Sequence, residues 1–148
     1  MNIRMFHKQY TSSLDASRHV ADDIVPFWQQ LRLDENIIAQ MELCIVEIVN
    51  NVFEHAYANI EGPSFEICSH LDDKQLTIEI CDYGTAMPNQ ILEDLPTTDF
   101  VEPVANDSST WLQSNRGLKI VQQLADSLEY TSNKKCNTFK LVKGIAYN

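Results

Sequence analysis

Basic residues are scarce in this chain, and none occurs between Lys74 and Arg116, a stretch that carries seven acids from Glu79 to Asp107. Lys plus Arg number 11 against 21 Asp plus Glu, so the formal charge is −10 and the isoelectric point is about 4.6. That balance excludes the electropositive footprint by which proteins hold nucleic acid or an anionic lipid surface. Cysteine is also sparse. Cys44, Cys68, Cys81 and Cys136 form no CxxC pair and have no histidine at finger spacing, so they read as reduced filler rather than as a zinc site or a disulfide frame. The N-terminus has no apolar signal region, and no apolar run approaches the roughly 20 residues that a membrane span needs. A cytoplasmic protein with neither nucleic acid nor membrane as partner is expected. Repeats, low-complexity tracts and linkers are missing as well, so residues 1–148, 44% of them hydrophobic, should form one domain with a real core.

The order of expected elements is an α/β one. Ile3 to Tyr10 alternates enough to be an opening strand. Thr11, Ser12 and Ser13 offer caps for a helix from about Leu14 to Leu31, which Pro26 should kink or break. Asp34 can cap a second, mostly buried helix from about Glu35 to Tyr57. Ser64 to His70 and Gln75 to Cys81 form a hairpin around Leu71 to Lys74. From Tyr83 to Asn115 periodicity is lost apart from a helical turn at Gln90 to Leu95, and a connection of that length in a compact domain tends to be a lid or a binding loop. A helix from about Gly117 to Ser127 and a hairpin of Leu128–Ser132 with Thr138–Val142 close the chain.

Three motifs carry chemistry. Glu47, Asn51 and His55 lie four apart on an apolar helix, and since steps of four drift only about 40°, a carboxylate, an amide and an imidazole share one face. A carboxylate can take a proton, and an amide oxygen is a hard ligand suited to magnesium. Such a stripe can equally be the wet side of a helix. The second motif, Asp82-Tyr83-Gly84-Thr85-Ala86-Met87-Pro88, puts a carboxylate at a strand end before a glycine that lets backbone approach a ligand. Asp82 could accept from an adenine amino group. In the third, Arg116-Gly117-Leu118-Lys119 opens a helix directly after the long loop, where backbone N–H groups, the helix dipole and two cations favour phosphate.

In this order the motifs resemble the N, G1 and G2 boxes of the GHKL superfamily of gyrase, heat-shock chaperone, histidine kinase and mismatch-repair ATPases. The chain is similar in particular to the bacterial anti-sigma factor serine/threonine kinase family. That likeness rests on Asn-x-x-x-His-Ala-Tyr at 51–57, the single-domain length, Gly-Leu-Lys-Ile-Val-Gln-Gln-Leu-Ala-Asp at 117–126, and Asn137-Thr138-Phe139-Lys140-Leu141. It implies a two-layer α/β sandwich of the Bergerat type, a mixed sheet covered on one face by about three helices, with an ATP lid over about 89–115. It further implies ATP and Mg2+ as cofactors, Glu47 as general base or water-orienting carboxylate, Asn51 as magnesium ligand, and Asp82 as adenine reader. Gly84, Met87, Arg116, Gly117, Leu118 and Thr138 would complete the nucleotide site, and His55 either packs or hydrogen-bonds below it or touches the nucleotide. The implied activity is phosphorylation of a small STAS-type anti-sigma-factor antagonist, together with sequestration of a sigma factor by a homodimer. The alternative is a non-catalytic nucleotide-sensing or sigma-factor-binding module. Where superfamily members often carry a second glycine in each box, this chain has Ala86, Asn115 and Lys119; alanine opposes a left-handed turn by roughly 1 kcal/mol or more. Cys81 and Phe139 are expected in the sheet core rather than in the pocket wall.

Overall fold

In the computed structural model, residues 4–94 and 116–145 are described. Strand β1 (Arg4–Thr11) leads into helices α1 (Ala16–Gln30) and α2 (Glu35–Asn51), and α2 continues into a π-helical turn at Val52–Ala56. A hairpin of β2 (Ser64–Leu71) and β3 (Gln75–Asp82) comes next, then the short α3 (Asn89–Asp94), α4 (Arg116–Leu124), and a second hairpin of β4 (Ser127–Ser132) and β5 (Asn137–Gly144). The strands lie in the order β1-β2-β3-β5-β4.

Both hairpins are closed by a side chain. Asp72 Oδ1 accepts from the backbone N–H of Lys74 and Gln75 at 2.8 and 2.9 Å, and Asn133 Oδ1 does the same for Lys135 and Cys136 at 2.8 and 3.0 Å. These are the Asx turns that Asp and Asn favour. All four strand pairings among the described residues are antiparallel, which corrects the mixed sheet expected from the family likeness. The cause is the even number of helices between β1 and β2. Two passes return the chain to the end where β1 left the sheet, so Thr11 pairs with Ser64 and Ser12 N–H donates to the Pro63 carbonyl at 2.7 Å. A single crossover helix would instead deliver a parallel strand.

The helices cover one face, with α2 packed between α1 and α4. Inward-facing Phe65, Ile67, Leu76, Ile78, Ile80, Phe139 and Leu141 meet Val20, Ile24 and Trp28 of α1 and Met41, Ile45 and Ile48 of α2. Pro26 does not break α1, although it removes the N–H that would bond to Asp22. The helix runs unbroken over 15 residues because Val20, Ile24 and Trp28, four apart, are fully buried, and the Trp28 indole donates to Ser69 Oγ at 3.1 Å. Asp34 precedes α2 without a side-chain cap bond. The helical run Glu35–Ala56 is, contrary to expectation, long and apolar enough to cross a membrane by length and composition. Here its apolar face lies against the sheet, and Glu35, Glu42, Glu47 and Glu54 interrupt the apolar run.

Candidate functional site

The continuation of α2 shapes one wall of the site. An α-helical register through Tyr57 would keep Glu47, Asn51 and His55 in a single stripe. The π turn, closed by Tyr57 N–H on the Val52 carbonyl at 3.0 Å, inserts an extra residue there and leaves Asn51 and His55 on the same cavity wall. The chain leaves it through Ala58 and Asn59, both left-handed at φ 51° and 62°. Such a conformation costs alanine roughly 1–2 kcal/mol and marks a backbone held by its surroundings.

The Ala56 carbonyl is the product of this turn. It accepts the Thr85 N–H at 2.9 Å, and Gly84 packs directly onto it. A Cβ at Gly84 would collide with the Ala56 carbonyl oxygen and come within 2.7 Å of its carbon and 2.8 Å of the Tyr57 ring. Gly84 therefore serves by close approach rather than by a left-handed φ, and Ala86 has no positive φ either, so alanine there carries no turn penalty. Tyr57 locks the same corner: its hydroxyl donates to the Ser64 carbonyl at 2.6 Å and accepts the Tyr83 N–H at 2.9 Å.

Between these elements lies a cavity of about 250 Å³. Asn51, Val52, His55 and Ala56 line one side; Asp82 and residues 85–88 line another; Ile91, Leu118, Tyr130 and Phe139 close it. Asp82 is 1% exposed, and its Oδ1 accepts the Gly84 N–H and the Asn137 side-chain amide, each at 2.9 Å. Burial pushes its carboxyl above the usual carboxylate range, while Asn137 and the Gly84 N–H pull the other way. At the mouth, the Tyr130 hydroxyl accepts the Met87 N–H at 2.9 Å, and its ring lies 4.7 Å from that of Phe139. A mostly apolar slot with one buried carboxylate suits a flat aromatic base carrying an amino group.

Glu47 stands one helical turn from Asn51 and outside this cavity. A Cβ on Gly117 would lie 2.5 Å from Glu47 Oε2 and 3.4 Å from its Cβ and Cδ, so the carboxylate rests on the start of α4. Among the described residues no group of three or more His, Cys, Asp or Glu is placed to hold a metal ion. A divalent cation here would have to take its oxygens from Asn51 and from the ligand itself, as magnesium commonly does with phosphates.

The structure thus brings Asn51, His55, Asp82, Met87 and Leu118 to one cavity, with Gly84 behind it and Glu47 with Gly117 beside it. His55 takes the exposed position on the cavity wall, not one packed below the site. Thr138 is not at the site. Phe139 and Leu141 point inward, so the pleat turns Thr138 to the opposite face, where its hydroxyl lies 3.0 Å from Cys81 Sγ. Phe139 is both core, at 1% exposed, and cavity wall, whereas Cys81 is neither. Arg116 opens α4, and its side chain and most of the expected lid, residues 95–115, lie outside the described residues. Asn137, Tyr130 and Tyr57 are additions. The alternation of Asn137-Thr138-Phe139 carried the signal for Asn137, since an inward Phe139 also turns Asn137 inward.

The sequence pattern of the histidine kinase-like ATPase domain family matches residues 10–143. An anti-sigma F factor of Clostridium acetobutylicum is 26% identical over 106 residues, covering 72% of this chain and 68% of that protein. Anti-sigma F factors of two Clostridium botulinum strains are 28% identical over 138 residues, 93% of this chain and 88% of each. Among solved structures, one of the RsbU and RsbW domains of a Mycobacterium tuberculosis protein matches 96% of this chain at a TM-score of 0.67 and 17% identity; this chain spans 32% of that longer one. Another, of the SiaB–SiaC complex from Pseudomonas aeruginosa, matches 93% of this chain and 89% of its own at a TM-score of 0.62 and 8% identity. At such identities the two structures show a shared fold.

Proposed function

The chain belongs to the histidine kinase-like ATPase domain family, and on that premise we propose that it is an ATP-dependent protein serine/threonine kinase that also acts as an anti-sigma factor. The observation that carries this reading is the spacing of three groups: Asp82 at the floor of the cavity, Asn51 on its wall, and Glu47 one turn further on, against the start of α4. Asp82 accepts from the adenine amino group. Asn51 would hold a magnesium ion through its amide oxygen, and that ion would offset phosphate charge. Glu47 takes the proton of an acceptor hydroxyl as the γ-phosphoryl group moves to it, leaving ADP. Phosphoryl transfer depends mainly on positioning and charge neutralisation, so these groups are sufficient and no covalent enzyme intermediate is needed.

The acceptor in this reading is a serine or threonine of a small STAS-type anti-sigma-factor antagonist, the sequestered partner is a sigma factor, and the working form is a cytoplasmic homodimer. Support comes from relatives named anti-sigma F factors that align over 93% of the chain. The direct test is transfer of label from γ-labelled ATP to a purified antagonist of this type. Phosphoserine or phosphothreonine on the antagonist supports the kinase; stable binding of the antagonist without label transfer contradicts it and leaves a binding module.

Asn51→Ala is expected to weaken magnesium-dependent ATP binding by about tenfold or more, or ~1.4 kcal/mol, with little change in magnesium-free binding. Calorimetric titration with and without magnesium checks this. Equal losses in both conditions would remove Asn51 from the metal and make it a contact to the nucleoside.

A further inference from the structure

The hydrogen bonds around Asp82 run through a residue that belongs to none of the three motifs. Asn137, 3% exposed, sits opposite Asp82 in the β3–β5 register. Its Nδ2 donates to Asp82 Oδ1 at 2.9 Å and to the Gly84 carbonyl at 3.0 Å, and its Oδ1 accepts from Ser132 Oγ at 2.6 Å. A backbone carbonyl can only accept. The amide nitrogen must therefore face Gly84, and the amide oxygen must face Ser132, whatever the charge on Asp82. The Gly84 N–H donates to the same Asp82 Oδ1, so both donors end on one oxygen. Asp82 lines the cavity, which leaves Oδ2 as the oxygen for a ligand.

Resting on the adenine-nucleotide reading above, we propose that Asn137, clamped by Ser132, is a positioning residue that sets base specificity. It fixes Asp82 Oδ2 as an acceptor toward the cavity, so that the site takes a 6-amino purine and rejects a 6-keto purine. Asn137 does not itself meet the base, because both of its protons are already used. A single hydroxyl in its place could not tie Asp82 and the Gly84 carbonyl together, since it has only one proton to give. Because Asn137 and Gly84 occupy Oδ1, any proton on the carboxyl sits on Oδ2, where it opposes an amino group and favours a keto oxygen. The base preference should thus weaken toward low pH, as the carboxyl that burial holds above its usual range becomes protonated. On the elements packed around Asp82, the titratable groups facing it are Tyr57 and Tyr130, with His55 on the cavity wall.

The test compares calorimetric titrations of ATP and inosine triphosphate, with magnesium, in the wild-type chain, Ser132→Ala, Asn137→Ala and Asn137→Asp across pH. The wild-type chain should favour ATP by about 10- to 100-fold near neutral pH, the range expected when a buried acceptor meets an acceptor instead of a donor. Ser132 is exposed, so Ser132→Ala keeps the fold and should lower that ratio severalfold. In Asn137→Ala the two nucleotides should bind alike. Asn137→Asp keeps the shape but places a second carboxyl beside Asp82, so the pH at which ATP preference is lost should move up. A merely structural role would lower both affinities together and leave the ratio and the pH profile unmoved, and that result would overturn the proposal. Wild-type binding of ATP and inosine triphosphate with equal affinity overturns Asp82 as base reader and this proposal with it; binding of neither overturns the nucleotide reading itself.

Discussion

Glu47→Gln is expected to slow phosphoryl transfer by about 10²- to 10⁴-fold, the usual range for loss of a positioned general base, while ATP affinity stays close to that of the wild-type chain. Glutamine keeps the length and shape of the side chain that rests on Gly117, so the packing at the start of α4 survives. What disappears is the capacity to take a proton. Glu47 does not line the cavity proposed for the base, so its loss should fall on turnover rather than on binding. Single-turnover transfer to the antagonist, together with an ATP titration of the same variant, separates the two effects. Turnover at the wild-type rate would rule Glu47 out as the base. Gly117→Ala offers an independent approach to the same group. A methyl there would stand 2.5 Å from Glu47 Oε2, so the carboxylate must swing away and the kinetic defect should recur without touching Glu47 itself. Normal turnover in Gly117→Ala would mean that the carboxylate does not work from this position.

Gly84→Ala should be the most damaging single change for nucleotide binding. The added methyl would meet the Ala56 carbonyl, which is backbone and has no rotamer to yield, and the Tyr57 ring at 2.8 Å. Relief requires separating the Asp82–Gly84 loop from the π turn, which also breaks the Thr85 N–H bond to Ala56 and the Tyr83 N–H bond to Tyr57. Overpacking of this kind costs about 1–3 kcal/mol. The same displacement removes the Gly84 N–H from Asp82 Oδ1, so ATP affinity should be lost along with stability. Thermal melting and an ATP titration of the variant check both parts. Full affinity with an unchanged melting temperature would show that the loop and the π turn are not the rigid unit seen here.

Several of these features were legible in the amino-acid order, and the exceptions have physical causes. Hydrophobic periodicity located the two hairpins and the helices within a few residues, and the spacing of four placed Asn51 and His55 on one cavity wall, with Glu47 a turn away against α4. The π turn that ends α2 was not legible, because no residue pattern in Val52–Ala56 distinguishes a five-residue turn from an α-helical one. Its cause is tertiary. The Ala56 carbonyl is drawn to the Asp82–Gly84 loop, whose partner lies almost thirty residues away in sequence. Pro26 misled in the opposite sense, since local propensity argued for a break while three buried residues spaced by four held α1 together. Thr138, expected at the nucleotide site, lies on the far side of the sheet for a reason the sequence carries. The strand pleat, applied to Phe139, already turns Thr138 away from the helices. What alternation alone could not show is that Asn137 meets Asp82, because that depends on the register between β3 and β5.

The measurement that bears most directly on the central reading is a calorimetric titration of ATP into the purified protein with and without magnesium. Asp82, Asn51 and Glu47 have their proposed roles only around a bound metal nucleotide. Saturable binding that strengthens when magnesium is present is the expected result. Absence of binding at millimolar ATP, in a protein that melts cooperatively, would contradict it: the cavity would then not be a nucleotide site, and the histidine kinase-like fold would serve this chain as a binding scaffold alone.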